Sequence, residues 1–393
     1  MSPTDVTTLP DLAVRSLGGS VVAASDELFA ERQNLIRPGA PGYQAATFGH
    51  KGQVYDGWET RRRREPGHDW AIVHLGLAGV VRGVVVDTAH FTGNYPPEVS
   101  VEGTSAEGHP TPDELQRATW TPLVPRSPAE GDTANRFEVT APQRVTHVRL
   151  CLYPDGGVAR LRVHGEPVPD PRLLPPGGLD LAALEHGGEV TGCSNMFYSS
   201  PRNLISPGLA RSMGEGWETA RRRDDGNDWV ELRLAGAGVV QLAELDTSWF
   251  VGNAPGWAGL RGMDARAAGP DGPAGPDGPA GPAAWAELLG RTRLLPDTRH
   301  RFRLEGAAEV THVRLDVFPD GGMARLRLHG QLAPAARSEL ALRFLNLLPD
   351  DHARQVLAGE GHLAGAELDR LVAARPLASL DALPRPLAAR LAG

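Results

Sequence analysis

Lysine is almost missing from this chain: Lys51 is the only one, and arginine supplies the rest of the 40 basic residues. That asymmetry reads as a coding bias and lowers the weight of any single arginine run. The 48 acidic residues leave a formal net charge of -8. No long-range field therefore draws nucleic acid or an anionic membrane surface, and neither is expected as a partner. Cysteine is also scarce. Cys151 and Cys193 are too few for a disulfide framework or a thiolate metal cage, fit a reducing compartment, and are expected as buried small hydrophobes. No stretch approaches the roughly 18 apolar residues of a membrane span, and the start "MSPTDVTTLPDLAVRSLGGS" has no basic segment followed by an apolar core. The expectation is a soluble, cytoplasmic protein. His-x-His and His-Glu-x-x-His spacings, Gly-rich phosphate loops and nucleophile elbows are all missing, so neither a metal site nor a cofactor is expected.

What is present is a repeat. "GWETRRRREPGHDW" from Gly57 to Trp70 recurs as "GWETARRRDDGNDW" from Gly216 to Trp229, an offset of 159 residues. "GGSVVAASDELF" from Gly18 aligns with "GGEVTGCSNMFY" from Gly187 at an offset of 169, and Asn34 of "QNLI" aligns with Asn203 of "RNLI" at the same offset. "THVRLCLYPDGGVARLRVHG" from Thr146 matches "THVRLDVFPDGGMARLRLHG" from Thr311 at 165. The first copy thus carries ten extra residues around "YQAATFGHKGQV" and the second an insertion of six in its middle. That insertion lies near "GPDGPAGPDGPAGP", Gly269 to Pro282, read as a polyproline-like loop rather than a triple helix.

Within each copy, short apolar runs such as "WAIVHLGL", "VRGVVVDT" and "THVRLCLY" are separated by Gly, Pro and Asp. Six to eight short strands per copy make the expected fold class all-β: two tandem jelly-roll β-sandwich repeats. "YPDGG" and "FPDGG" read as hairpin turns. After about residue 335, leucines and alanines fall at helical spacing; "LPDD" starts one helix and "ARP" ends another. The expected organisation is an N-terminal tail (1–16), a first repeat (17–170), a linker (171–185), a second repeat (186–332) and a helical appendage (336–393). The appendage is expected to pack on a sandwich or on another subunit, which leaves room for a homo-oligomer.

Two polar clusters recur. Glu59, Thr60, Arg62, Arg63, Arg64 and Asp69 pair with Glu218, Thr219, Arg221, Arg222, Arg223 and Asp228. In the second cluster, "DTAHFTGNYP" against "DTSWFVGNAP", Asp87, Thr88 and Asn94 pair with Asp246, Thr247 and Asn253. Packing duplicates apolar residues and leaves exposed charges free to drift, so a duplicated polar set points to a site at one rim of the sandwich. Arginine forks and an asparagine amide suit a small anionic ligand. Trp58, Trp70, Trp217 and Trp229 read as core anchors. His68 and His90 are replaced by Asn227 and Trp249, so proton transfer by histidine is expected in the first repeat.

At these residues the chain resembles the allantoicase family. "SDELF...QNLI", "DGWETRRRR.PGHDW" and "DTAHFTGNYP" in the first copy are similar to its repeat motifs, as are "GEGWETARRRDDGNDW" and "DTSWFVGNAP" in the second. The resemblance covers roughly Leu17 to Gly330. It implies galactose-binding-type jelly rolls and conversion of allantoate and water to ureidoglycolate and urea. Under that reading Arg62 or Arg63 would hold the carboxylate, Glu59 or Asp69 would be the general base, and His68 or His90 would supply a proton. Asn94 and Thr60 would orient the ureido groups. Strand alternation would set Glu59 and Arg63 on one face and Arg62 on the other. Arg221, Arg222, Glu218, Asp228, Asp246 and Asn253 are the matching binding candidates of the second copy, which departs at Ala220 for Arg61 and Ala254 for Tyr95. The tail resembles the start of the 2-oxo-4-hydroxy-4-carboxy-5-ureidoimidazoline decarboxylase family through "LNLLP" and "RPLASLDAL". It stops short of the catalytic region and reads as a remnant without that activity. The rival reading is a tandem jelly-roll module that binds a sugar or another polar ligand without chemistry.

Overall fold

The computed structural model describes residues 5–268, 285–305 and 308–392; the Gly269–Pro282 run lies outside them. The chain divides into two compact units, Met1–Val168 with Arg343–Leu387 and Pro169–Leu342 with Ala388–Gly393. Each unit carries one all-β repeat, as the sequence implied.

The organising element of the first repeat is one 19-residue strand, Asp69–Asp87. The sequence suggested two short runs here, "WAIVHLGL" and "VRGVVVDT", because glycines interrupt the pattern. Those glycines do not end the strand; they let it change neighbours. The first half pairs antiparallel with Ser20–Ala24 and Arg144–Tyr153, the second half with Ala134–Glu138 and Arg160–Pro167. At the changeover a Cβ on Gly76 would stand 2.3 Å from the Leu17 carbonyl oxygen, and one on Gly79 would stand 2.1 Å from that of Glu166. Glu98–Thr104 and Thr121–Pro128 extend the first sheet beyond Arg144–Tyr153.

The second repeat repeats the plan around Asp228–Asp246, flanked by Glu189–Cys193 and Val310–Phe318 and then by Arg299–Arg303 and Arg325–Leu332. Both cores are aliphatic, with Ile72, Val84, Leu150 and Leu161 fully buried in one and Val230, Leu245, Leu315 and Leu326 in the other. Trp58 and Trp217 anchor the cores as expected. Trp70 and Trp229 do not: both are half-buried, and Arg314 lies over the Trp229 ring at 4.3 Å. Cys151 is buried but Cys193 is only partly so, because it ends the edge-side strand Glu189–Cys193. The "PDGG" segments do turn at glycines, with Gly156 and Gly321 at φ of 147° and 132°, but they are not the hairpins expected: Gly157–Val158 and Gly322–Met323 pair with Trp58–Glu59 and Trp217–Glu218 rather than with the strands that precede the turns.

The C-terminal helices are Pro334–Leu347, Asp350–Gly361, Gly365–Ala373 and Arg385–Ala392. Pro349 precedes the second, and Asp350 and Asp351 occupy its first turn. Among the described residues, no helix is long and apolar enough to cross a membrane.

Candidate active site

The segment after Gly57 is strand only at Trp58–Glu59. From Thr60 onward the chain leaves the sheet, so the alternation expected for Glu59, Arg62 and Arg63 does not apply. Each side chain is placed by its own hydrogen bonds instead.

Thr60 is buried; its N–H donates to the Gly156 carbonyl at 3.2 Å, and its Oγ1 accepts from the Gly156 N–H at 3.2 Å. The Arg63 N–H donates to Asp155 Oδ2 at 2.7 Å. These three bonds fasten the segment to the "YPDGG" turn. The same turn holds the "DTAHFTGN" loop, for the Gly157 N–H donates to the Asn94 carbonyl at 2.7 Å. Glu59 and Asn94, 35 residues apart, are thereby brought together, and Asn94 Nδ2 donates to Glu59 Oε1 at 2.7 Å. The second repeat builds the same joint: the Gly321 N–H donates to Thr219 Oγ1 at 3.1 Å, the Arg222 N–H to Asp320 Oδ2 at 2.7 Å, and Asn253 Nδ2 to Glu218 Oε1 at 2.6 Å.

The remaining candidates have hydrogen-bond and stacking partners other than that pair, or none among the described residues. Asp69 is 2% exposed and accepts from Ser25 Oγ at 3.0 Å and from Arg63 Nη1 at 2.8 Å. Asp228 does the same with Ser194 and Arg222, each at 2.9 Å. Asp87 and Asp246 cap turns, accepting from the N–H groups of Ala89 and Ser248. Arg61 is held by Asp26 at 2.6 Å. Arg62 and Arg221 are exposed and make no hydrogen bond or ion pair among the described residues. His68 lies on the Tyr153 ring at 4.9 Å, and burial, aided by the Arg149 guanidinium, holds its pKa below the usual imidazole value. His90 takes a left-handed backbone, φ 69°, fixed by its N–H donating to Asp132 Oδ1, and its ring stacks on Tyr43 at 5.3 Å.

Burial pushes the Glu59 carboxyl above its ordinary pKa, against the opposing hydrogen bond from Asn94. A carboxylate made more basic in this way is a better proton acceptor near neutrality. Among the described residues no group of three or more His, Cys, Asp or Glu side chains could hold a metal ion.

Sequence reasoning missed Tyr55. Its ring stacks on Phe91 at 4.9 Å, and the Glu59 carboxylate and the Asn94 side chain both bear on the pKa of its hydroxyl. The signal was available, because the position two before "GWET" is Tyr55 in one copy and Gly214 in the other.

The allantoicase-repeat family model matches residues 10–168 and 179–333. A protein of Nocardia farcinica named "Probable allantoicase" is 56% identical over 335 residues, spanning 84% of this chain and 97% of that one. The chain belongs to the allantoicase family. Allantoicase of Dictyostelium discoideum is 40% identical over 336 residues, 84% of this chain and 89% of its own. The crystal structure of allantoicase from Saccharomyces cerevisiae at 2.40 Å resolution matches with a TM-score of 0.66 at 33% identity, covering 82% of this chain and 93% of that one. Membership of the allantoicase family decides between an enzyme and a binding module in favour of the enzyme, and the structural match agrees with the tandem all-β fold.

Proposed function

We propose that this enzyme hydrolyses allantoate to ureidoglycolate and urea, and that the chemistry takes place at the rim of the first repeat. The observation that carries the location is the Glu59–Asn94 pair, in which a carboxyl of raised pKa meets an amide at 2.7 Å in the copy that also keeps His90.

Allantoate holds a carboxylate and two ureido groups on one carbon. Water adds its oxygen to that carbon while the bond to one ureido nitrogen breaks, pushed by the lone pair of the other. Glu59 takes the proton that the water loses, and His90 returns one to the departing nitrogen, so that urea leaves neutral. Asn94 both donates and accepts, which matches the two edges of a ureido amide. Arg62, exposed and unpaired, offers its planar fork to the substrate carboxylate. Arg63, Asp69, Thr60 and Asp87 serve by holding the segment and its turns in place. The second repeat keeps Glu218, Asn253 and Arg221 but has Trp249 for His90, which supports a binding copy without turnover. Two free cysteines, Cys151 and Cys193, support a reducing, cytoplasmic compartment.

The test is urea release from allantoate by the purified chain, with ureidoglycolate formed in equal amount. Allantoate bound without urea release would sink the proposal.

A further inference from the structure

Tyr55 sits on a platform that both repeats possess and only one repeat uses. Phe91 is fully enclosed, wedged against two glycines: a Cβ on Gly57 would come within 2.8 Å of its ring and one on Gly157 within 2.1 Å. Gly57 precedes the Trp58–Glu59 strand, and Gly157 is the residue paired with Glu59. The platform therefore fixes whatever stacks on it relative to the Glu59 carboxyl. Tyr55 stacks there with an interplanar angle of 24°. In the second repeat Phe250 occupies the same seat against Gly216 and Gly322, and Glu218 and Asn253 keep their hydrogen bond. The residue aligned with Tyr55 is Gly214, and the Asn253 amide meets Met213 Sδ at 3.3 Å instead. The two copies share a carboxyl and an amide and differ by a phenol.

Resting on the hydrolysis proposed above, we infer that Tyr55 is a catalytic residue of the first repeat, its phenol donating a hydrogen bond to the carbonyl oxygen of the departing ureido group. As the carbon–nitrogen bond breaks, the electron pair moves onto that nitrogen and spreads to its carbonyl oxygen, where a fixed donor stabilises it most in the transition state. Burial, reinforced by the neighbouring Glu59 carboxylate, raises the phenol pKa, which keeps the hydroxyl protonated as a donor through neutral pH. In the second repeat the aligned residue, Gly214, has no side chain to donate.

Tyr55→Phe keeps the ring on Phe91 and removes only the hydroxyl. The expected result is a fall in kcat on the order of 10²-fold, the cost of deleting one donor of this kind, with KM changed far less and the melting temperature unmoved. A second variant carries 3,5-difluorotyrosine at position 55, which retains the platform contacts and makes the phenol more acidic; the alkaline limb of kcat should then move to lower pH. Wild-type kcat in Tyr55→Phe, or an alkaline limb that stays in place in the fluorinated enzyme, overturns the inference. If Tyr55→Phe unfolds, the fluorinated variant decides alone. A wild-type chain that releases no urea speaks against the hydrolysis itself and is told apart by that control.

Discussion

The Glu59 carboxyl and the Asn94 amide meet at 2.7 Å, and Glu218 and Asn253 meet at 2.6 Å in the matching place of the other repeat. Identical pairs in different surroundings allow the two copies to be separated by one isosteric change. Glu59→Gln should depress kcat by about 10²-fold or more, the usual loss with a general base. Glu218→Gln should leave kcat within a few-fold. Steady-state urea release by the two purified variants checks this. Equal, partial losses would instead mean two working sites.

Arginine replacements at adjacent positions should part company. Arg63 is fastened to buried Asp69 at 2.8 Å, whereas Arg62 is exposed and has no partner among the described residues. Arg63→Lys removes the guanidinium nitrogen that meets the buried Asp69 carboxylate and should lower the melting temperature. Arg62→Lys should leave the melting temperature alone and raise KM for allantoate several-fold. Thermal melts and Michaelis constants measured on both proteins distinguish the two roles.

Much of this was legible in the residues, and the failures have physical causes. The duplicated polar set marked Glu59 and Asn94, and the structure joins these two by a hydrogen bond of 2.7 Å. The same duplication also marked Thr60, Arg63 and Asp69, since a buried hydrogen-bond network is as intolerant of change as a site. Tyr55 escaped because it lies outside both duplicated polar clusters and is glycine in the other copy. The long strand was split in two because Gly76 and Gly79 resemble breakers by composition, while their role is close approach to Leu17 and Glu166. The docking of the helical appendage depends on pairs such as His352 and Glu107, 245 residues apart, which no local pattern encodes.

The acid limb of kcat/KM should report Glu59. Its pKa is raised by burial, so as pH falls activity should fail above the ordinary glutamate value of about 4.3. The Asn94 hydrogen bond acts in the opposite direction, lowering it. Asn94→Ala removes that bond and should move the limb to still higher pH. A pH–rate profile of each enzyme measures both shifts, and a limb that moves downward in Asn94→Ala would contradict the assignment.

A histidine pair, His147 buried and His74 half-buried, should govern stability in acid. His147 is 3% exposed, lies 4.9 Å from His74, and burial pushes its pKa down from 6.5 to about 3. Between those two values the unfolded chain binds a proton that the folded chain refuses. Stability therefore falls as pH drops from about 6.5 toward 3. His147→Phe removes the titration and should flatten this dependence. Urea denaturation midpoints of wild type and variant at pH 7 and pH 5 test it, and parallel losses in both proteins would show that another group is responsible.

The appendage should be held to the first repeat by one imidazole. His352 is 2% exposed; its Nδ1 lies 2.8 Å from Ser105 Oγ and its Nε2 lies 2.8 Å from Glu107 Oε2. Phe344 beside it is fully buried, with the Arg144 guanidinium over its ring at 5.1 Å. These contacts join Arg343–Leu387 to the first repeat within one compact unit. His352→Ala removes a partner from both polar groups at once and leaves a cavity where the buried ring stood. Because the change acts on the docking and not on the sandwich core, hydrogen exchange should accelerate across the helices Asp350–Gly361 and Gly365–Ala373. The strand Asp69–Asp87 should keep its protection. His352→Phe fills the same space without either hydrogen bond and should give an intermediate rate. Exchange in His352→Ala that matches wild type in both helices would mean that the apolar contacts around Phe344 hold the appendage without help from the imidazole.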